Sequence, residues 1–258
     1  VEAACDAAAR GHRVTLVDRR DAVGGQARAA GRAAYRDGWS RAVADFERRL
    51  VRAGVTLRLG VEPTVADIVR DGVDAVLLAT GASFAHAPLP GTADPGILVA
   101  ADDFLLRHDG AAEHVFVVGA GKPGLAVAET VVAAGGRVTL VDARPAEHPE
   151  LVRRPSAEAE SLRRLEASAG FSIRLDTRLE RVDGRVATLA AARTVAAVRR
   201  EQVEVDRVVL AADRVPVVPA WRDELVAAGV EVAVIGDAAL PRGVAEAMLD
   251  GARAGNRV

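Results

Sequence analysis

A single cysteine, Cys5, occurs in 258 residues. An internal disulfide, a Cys-x-x-Cys redox pair and an iron–sulfur cluster ligated within this chain are therefore excluded. No run approaches the ~18 apolar residues of a membrane span, and no basic region followed by an apolar core opens the chain. The expectation is a cytoplasmic chain with no membrane partner. Charge of one sign is also missing: a net charge of −2 provides no basic field to hold nucleic acid or anionic lipid. The histidines at 12, 86, 108, 114 and 148 show no metal-ligand spacing and no serine or cysteine partner, so no metal site is expected.

Half of the residues are hydrophobic, enough to give two domains their own cores. The chain opens at Val1, without methionine, on an alanine-rich helical pattern that stops at Gly11. A β-branched run follows at 13–18, the second half of a βαβ unit, so the first strand of that unit is expected to be absent. Helical spacing of Trp39, Val43, Phe46, Leu50 and Val51 predicts a helix from about 38 to 53, with a strand at 55–60 and a short helix at 64–71. The apolar run 74–81, closed by glycine, predicts a strand covered on both faces. Residues 85–96, rich in proline and glycine, read as a linker.

A second cycle then begins with a strand at 114–119, a glycine turn, a helix to about 134 and a strand at 137–142. RVTLVDRR at 13–20 and RVTLVDAR at 137–144 each follow an alanine-rich helix and a glycine, so one βαβ plan is used twice. A helix at 156–169, a strand at 171–176 and hydrophobic runs near 180–190 and 203–211 complete this cycle. A strand at 230–238 and a helix over 241–255 close the chain.

Among 24 glycines a bare GxGxxG means little. Here Gly119, Gly121 and Gly124 directly follow an apolar strand and open an apolar helix, the context in which this spacing cradles a pyrophosphate at a helix N-terminus. Asp142 lies 23 residues beyond Gly119 at the end of the next strand, where a carboxylate holds adenosine ribose hydroxyls. NAD(H) is favoured over NADP(H), although Arg144 could soften the exclusion of a 2′-phosphate. Lys122 could approach a phosphate or stay solvated beside the turn. Asp142→Ala is expected to weaken nucleotide binding with little effect on the fold, and Gly121→Val to block the pyrophosphate. Asp18, followed by Arg19, holds the equivalent position in the first cycle, and Gly24, Gly25 and Gln26 supply a flexible loop whose backbone could approach a second ligand.

VTLVDRRDAVGGQ, DAVLLATGA, VFVVGAGKPG and VIGDAALPRGVAEAMLDG, in that order, resemble flavoproteins related to the pyridine nucleotide-disulfide reductases. More narrowly, GHRVTLVD, GGQ and GDAALPRGVAEAM are similar to the C-terminal part of the 2,4-dienoyl-CoA reductase and trimethylamine dehydrogenase group, multidomain relatives of old yellow enzyme. The resemblance implies an α/β fold of two Rossmann-like dinucleotide-binding domains, the second inserted in the first. These would be a FAD-type domain at 1–95 with 217–258, without its first strand and glycine turn, and an NAD(P)H-binding domain at 96–216.

By the same resemblance Asp18 would hold the FAD ribose and Gly24 to Gln26 would lie along the flavin nucleotide. Thr80 and Gly81 would mark the strand exit. Asp237 would contact the ribityl or pyrophosphate part, Gly236 would allow close approach, and the helix beginning near Arg242 would point at the flavin. The family's Arg-x-Pro crossing reads LAADRVP, with Asp213 where a glycine is usual. FMN and an iron–sulfur cluster are implied only for an upstream barrel domain.

The expected chemistry is that of an NAD(P)H-dependent flavin oxidoreductase, hydride passing from NADH to flavin for an electron acceptor outside the chain. Cofactors carry such chemistry, which explains the lack of an evident catalytic side chain. Two other readings are a non-catalytic ADP- or NAD-binding module and a fragment of a larger flavoenzyme.

Overall fold

The computed structural model describes residues 1–84, 89–110, 113–153, 155–193 and 200–258. In chain order its elements begin with α1 (Glu2–Ala9), β1 (Thr15–Asp18), α2 (Gly25–Arg32), α3 (Asp37–Arg52), β2 (Thr56–Leu59), α4 (Val65–Arg70), β3 (Ala75–Leu78) and β4 (Ala82–Phe84). Next come β5 (Leu98–Ala100), α5 (Ala101–Arg107), β6 (His114–Val118), α6 (Lys122–Ala133), β7 (Arg137–Val141), α7 (Pro149–Val152), α8 (Ser156–Glu166), β8 (Phe171–Arg174), β9 (Thr177–Asp183) and β10 (Val186–Ala191). Last are β11 (Arg200–Glu204), β12 (Arg207–Leu210), β13 (Arg214–Pro216), α9 (Arg222–Ala227), β14 (Glu231–Val234) and α10 (Val244–Gly255). None of the described helices is long and apolar enough to cross a membrane.

The chain is α/β and forms two compact units. Residues 1–28, 38–83 and 214–258 make the first, residues 29–37 and 84–213 the second. The second is built on a five-stranded parallel sheet in the order β5-β12-β6-β7-β8. Val115, Phe116 and Val117 of β6 and Leu140 of β7 are fully buried, as continuous apolar runs in a doubly covered sheet must be. Leu125, Val127, Ala128 and Val131 of α6 join the same core. Between β8 and β12 the chain makes an antiparallel sheet, β11-β10-β9, where the hydrophobic runs near 180–190 and 203–211 gave no hint of strand direction.

The first unit carries two parallel pairs, β1 with β2 and β3 with β14. Its α1 lies against α10 so closely that a Cβ on Gly255 would fall 2.5 Å from the Ala3 carbonyl oxygen. Arg49 of α3 grips Glu2 of α1 through two 2.5 Å hydrogen bonds, and Leu50 is fully buried beside Ala4, Val23 and Val55.

Three readings of the sequence change. Residues 25–32 are helix α2 rather than loop, with the Ala27 N–H reaching back to the Gly24 carbonyl. The predicted linker 85–96 is no free tether. Residues 85–88 lie outside the described set, but Pro90 and Thr92 carbonyls accept from Val182 and Gly184, and Asp94 N–H donates to Gly184. Residues 90–94 thus form an ordered edge on the β9–β10 hairpin. The last strand ends at Val234, because Gly236 turns the chain at a φ of +61°. By contact, residues 29–37 and 84–95 cluster with the second unit and 214–216 with the first. Ala29 and Ala33 are buried in the second core, a placement that local sequence cannot reveal.

Candidate functional site

In the second unit β6 leads into the glycine turn; from β6 the chain moves outward through β7 to β8, and β12 later pairs on the other edge of β6, so the strand order reverses there. The carboxyl end of β6 is thus a topological switch point, the place where doubly wound sheets bind ligands. The glycines there have distinct tasks. Gly119 has a φ of +110°, and a Cβ on it would meet Ala212 Cβ at 2.7 Å, so the turn abuts the segment after β12. Gly124 would place a Cβ 1.9 Å from the Gly119 carbonyl oxygen, bringing helix and turn into contact. Gly121 caps α6 at a φ of −87°, and its Cβ position is open, with nothing nearer than Pro123 Cδ at 3.9 Å. Pro123 in the first turn gives up an N–H that no intrahelical bond needs.

Asp142 ends β7 and is 5% exposed. One carboxylate oxygen accepts from the Ala120 N–H of the turn at 2.7 Å and from Arg144 Nη2 at 2.6 Å. The other accepts from the Arg144 N–H at 2.9 Å and from Arg144 Nε at 2.8 Å. Burial pulls the carboxyl upward, but the Arg144 guanidinium and the two backbone N–H groups outweigh it and hold Asp142 below the usual range. The expectation that Asp142→Ala spares the fold is therefore corrected: this carboxylate joins the turn to the end of β7. Asp142→Asn should cost about 2 kcal/mol at neutral pH. A carboxyl depressed in the folded state stabilises above its unfolded value of about 3.9 and loses that contribution as the pH falls through its folded value. The gap between wild type and Asp142→Asn in urea unfolding should accordingly close on going from pH 7 to strongly acidic pH.

Lys122 is 77% exposed, 4.0 Å from Glu158, and belongs to the solvated side of the turn.

The two RVTLVD segments share their local geometry. The Arg20 N–H donates to the Asp18 carboxylate at 2.9 Å, as the Arg144 N–H does to Asp142, and Arg19 is exposed. Elsewhere in the first unit the structure joins motifs distant in sequence. Gln26 Nε2 donates to the Ala82 carbonyl at 2.6 Å and its Oε1 accepts from Arg214 Nη2 at 2.6 Å. The same Nη2 donates to Asp237, whose other oxygen takes the Arg242 N–H at 2.9 Å. Thr80 donates its hydroxyl to the Val217 carbonyl, and the Val217 N–H returns to Gly81, locking the two crossing segments. Asp213, standing at the family's glycine position, keeps a left-handed φ of +51°, which a short carboxylate side chain tolerates.

Arg214 is the residue that sequence reading missed. The Arg-x-Pro signal pointed to it, but only the fold sets it beside Gln26 and Asp237.

No group of three or more histidine, cysteine, aspartate or glutamate side chains suited to a metal occurs among the described residues. A parallel sheet with a glycine turn at its switch point and a carboxylate ending the next strand defines a dinucleotide-binding α/β protein of the Rossmann class. The chain belongs to the pyridine nucleotide-disulphide oxidoreductase family, which it matches over residues 2–237. The narrower likeness to the 2,4-dienoyl-CoA reductase and trimethylamine dehydrogenase group is borne out as a likeness of fold.

Among curated relatives, the NADH oxidase of Thermoanaerobacter brockii is 30% identical over 254 residues, covering 92% of this chain and 36% of that protein. Cinnamate reductase of Clostridium sporogenes is 34% identical over 142 residues, covering 55% of this chain and 21% of that protein. Among solved structures, 2-naphthoyl-CoA reductase superposes with a TM-score of 0.85 at 23% identity, covering all of this chain and 38% of its own, a likeness of fold. This chain thus spans well under half the length of these relatives.

Proposed function

We propose that this chain is a reductase module that binds NAD(P)H on the Gly119–Gly124 turn and passes its hydride to a flavin, for an acceptor outside residues 1–258. The supporting observation is the division of labour among the three glycines. The fold itself demands glycine at Gly119 and Gly124, where a Cβ would strike protein atoms, but nothing in the fold demands it at Gly121. The space there is kept for a ligand, and α6 presents its free N–H groups to a pyrophosphate at that point.

On this reading Asp142 orients toward the adenosine ribose and favours NAD(H). Arg144, clamped on it, sets a cation where a 2′-phosphate would lie, so NADP(H) ranks second. In the first unit Asp18, Gly24, Gly25, Gln26, Thr80, Gly81, Gly236 and Asp237 form the FAD-type site, and the domain division read from the sequence gives 96–216 to the nicotinamide nucleotide. When bound, the cofactors would supply the redox chemistry, a hydride equivalent (two electrons and a proton) going from nicotinamide to flavin. The chain's own task is to hold both and to exclude water.

Gly121→Val tests the nucleotide half. Calorimetric titration with ADP-ribose should show affinity lost on the order of a hundredfold, as two charge-assisted N–H contacts to phosphate go. Its unfolding temperature should stay near the wild-type value, because the added Cβ meets nothing nearer than Pro123 Cδ at 3.9 Å. Wild-type affinity in Gly121→Val would make the turn purely structural.

A further inference from the structure

We propose that the groove between α4 and α9 docks a basic amphipathic helix of a partner protein, whose aliphatic side chains enter the groove and whose lysine or arginine side chains meet Glu62 and Glu224. The groove measures about 780 Å³, lies wholly within the first unit, and is walled by Glu62, Pro63, Val65, Val69, Trp221 and Glu224 among others. Helix α4 buries none of its residues, although Val65, Ile68 and Val69 are half of its length, and Val69 is 47% exposed. An aliphatic helix face set opposite a tryptophan and rimmed by carboxylates has the composition of a protein-binding patch, an apolar and aromatic centre inside a polar border.

Both walls are formed in advance. The Asp67 N–H donates to the Thr64 hydroxyl at 3.2 Å and the Thr64 N–H to the Asp67 carboxylate at 3.1 Å, a capping box that holds the short α4 without help from the core. Leu225 is fully buried and fixes α9. A groove between two fixed helices suits a third helix laid into it. Charge selects the partner. The basic side chains of the two helices are engaged at home, Arg70 on Asp67 at 2.6 Å and Arg222 3.7 Å from Asp223. Glu62 and Glu224 have no ion pair among the described residues, and no basic side chain lines the groove. Two uncompensated carboxylates beside an apolar groove repel an acidic partner and draw a basic one.

The probe is a synthetic helix-forming peptide with leucines along one face and lysines flanking them, titrated calorimetrically into the full chain. Its control carries glutamate in place of lysine. The lysine peptide should bind saturably, at least ~10-fold tighter than the glutamate peptide, and more weakly as salt is raised. Glu62→Gln combined with Glu224→Gln should weaken it about tenfold, each rim charge contributing a few-fold. Val69→Asp puts a charge into the apolar floor and should abolish binding. Both variants should keep the wild-type unfolding temperature, because all three side chains are exposed.

No saturable binding of the lysine peptide, equal binding of the two peptides, or wild-type affinity in either variant overturns the proposal. So does a second copy of the chain as occupant, seen as a dimer in sedimentation of the wild type that Val69→Asp returns to monomer. If Val69→Asp unfolds early, the glutamine pair decides alone.

Discussion

Gly124→Ala is expected to unfold the second unit at a markedly lower temperature and to abolish nucleotide binding together. The new Cβ would sit 1.9 Å from the Gly119 carbonyl oxygen and 3.1 Å from its carbon, and backbone cannot swing aside as a flexible side chain does. Either α6 lifts away from β6 or the turn opens. Lifting the helix uncovers Leu125, Val127 and Ala128, all fully buried, so the cost should reach about 3 kcal/mol, or roughly 10 °C in unfolding temperature. Because the turn and the helix N-terminus move apart, ADP-ribose affinity should fall with it by at least ~100-fold. Calorimetric unfolding and ADP-ribose titration on one preparation check both. Gly121→Val is the counterpart, in which binding is lost and stability is kept. A Gly124→Ala protein with unchanged unfolding temperature would mean that α6 does not approach the turn as described.

Glu129→Ala should be the most destabilising change away from the turn. Glu129 sits on α6 at 2% exposure, with all four of its acceptor positions engaged. Arg164 Nε and Nη2 reach one oxygen at 3.0 and 2.6 Å, and Arg36 Nη2 and Ser161 Oγ reach the other at 2.9 and 3.1 Å. Removing it takes the buried carboxylate from two guanidinium groups that are only partly in water, Arg36 at 21% and Arg164 at 36% side-chain exposure, and opens a cavity, although Arg164 keeps Glu160 at 3.2 Å. A loss of about 3 kcal/mol is expected, the lower end for breaking a buried ion pair because both arginines keep some solvent. Urea unfolding of Glu129→Ala measures it. The double variant with Arg164→Met should recover part of the loss, since one guanidinium that has lost its main partner goes; further destabilisation would show that Arg164 contributes by its remaining pair with Glu160 or by packing, including its position 5.1 Å over the Tyr35 ring.

The same carboxylate shows where sequence reading stopped. Glu129 lies in an apolar helix as an ordinary polar interruption, and its partners Arg36 and Arg164 are far away in sequence on both sides. Nothing local distinguishes it from a solvated glutamate. The buried run of β6, the glycine spacing and the carboxylate at Asp142 were by contrast legible, because strand period, turn chemistry and helix start are enforced within ~25 residues of chain.

Asp142 itself was legible in place but not in its contacts. Its position at a strand end follows from the motif, whereas its four hydrogen bonds to Ala120 and Arg144 depend on how tightly β7 and the turn are juxtaposed. Helix α2 was hidden by its glycine pair, which speaks locally for a loop; burial of Ala29 in the second core overrides that preference.

By itself, then, the sequence determined the class of protein: two RVTLVD cycles, one glycine turn, and a single cysteine that bars redox chemistry at sulfur pairs. These are properties of neighbouring residues. The tertiary structure alone decided which glycine leaves room for a ligand, which carboxylate is structural, and that Gln26, Arg214 and Asp237 meet. Those outcomes rest on contacts between segments up to about two hundred residues apart, where no local propensity acts and only packing and buried hydrogen bonding select the partner.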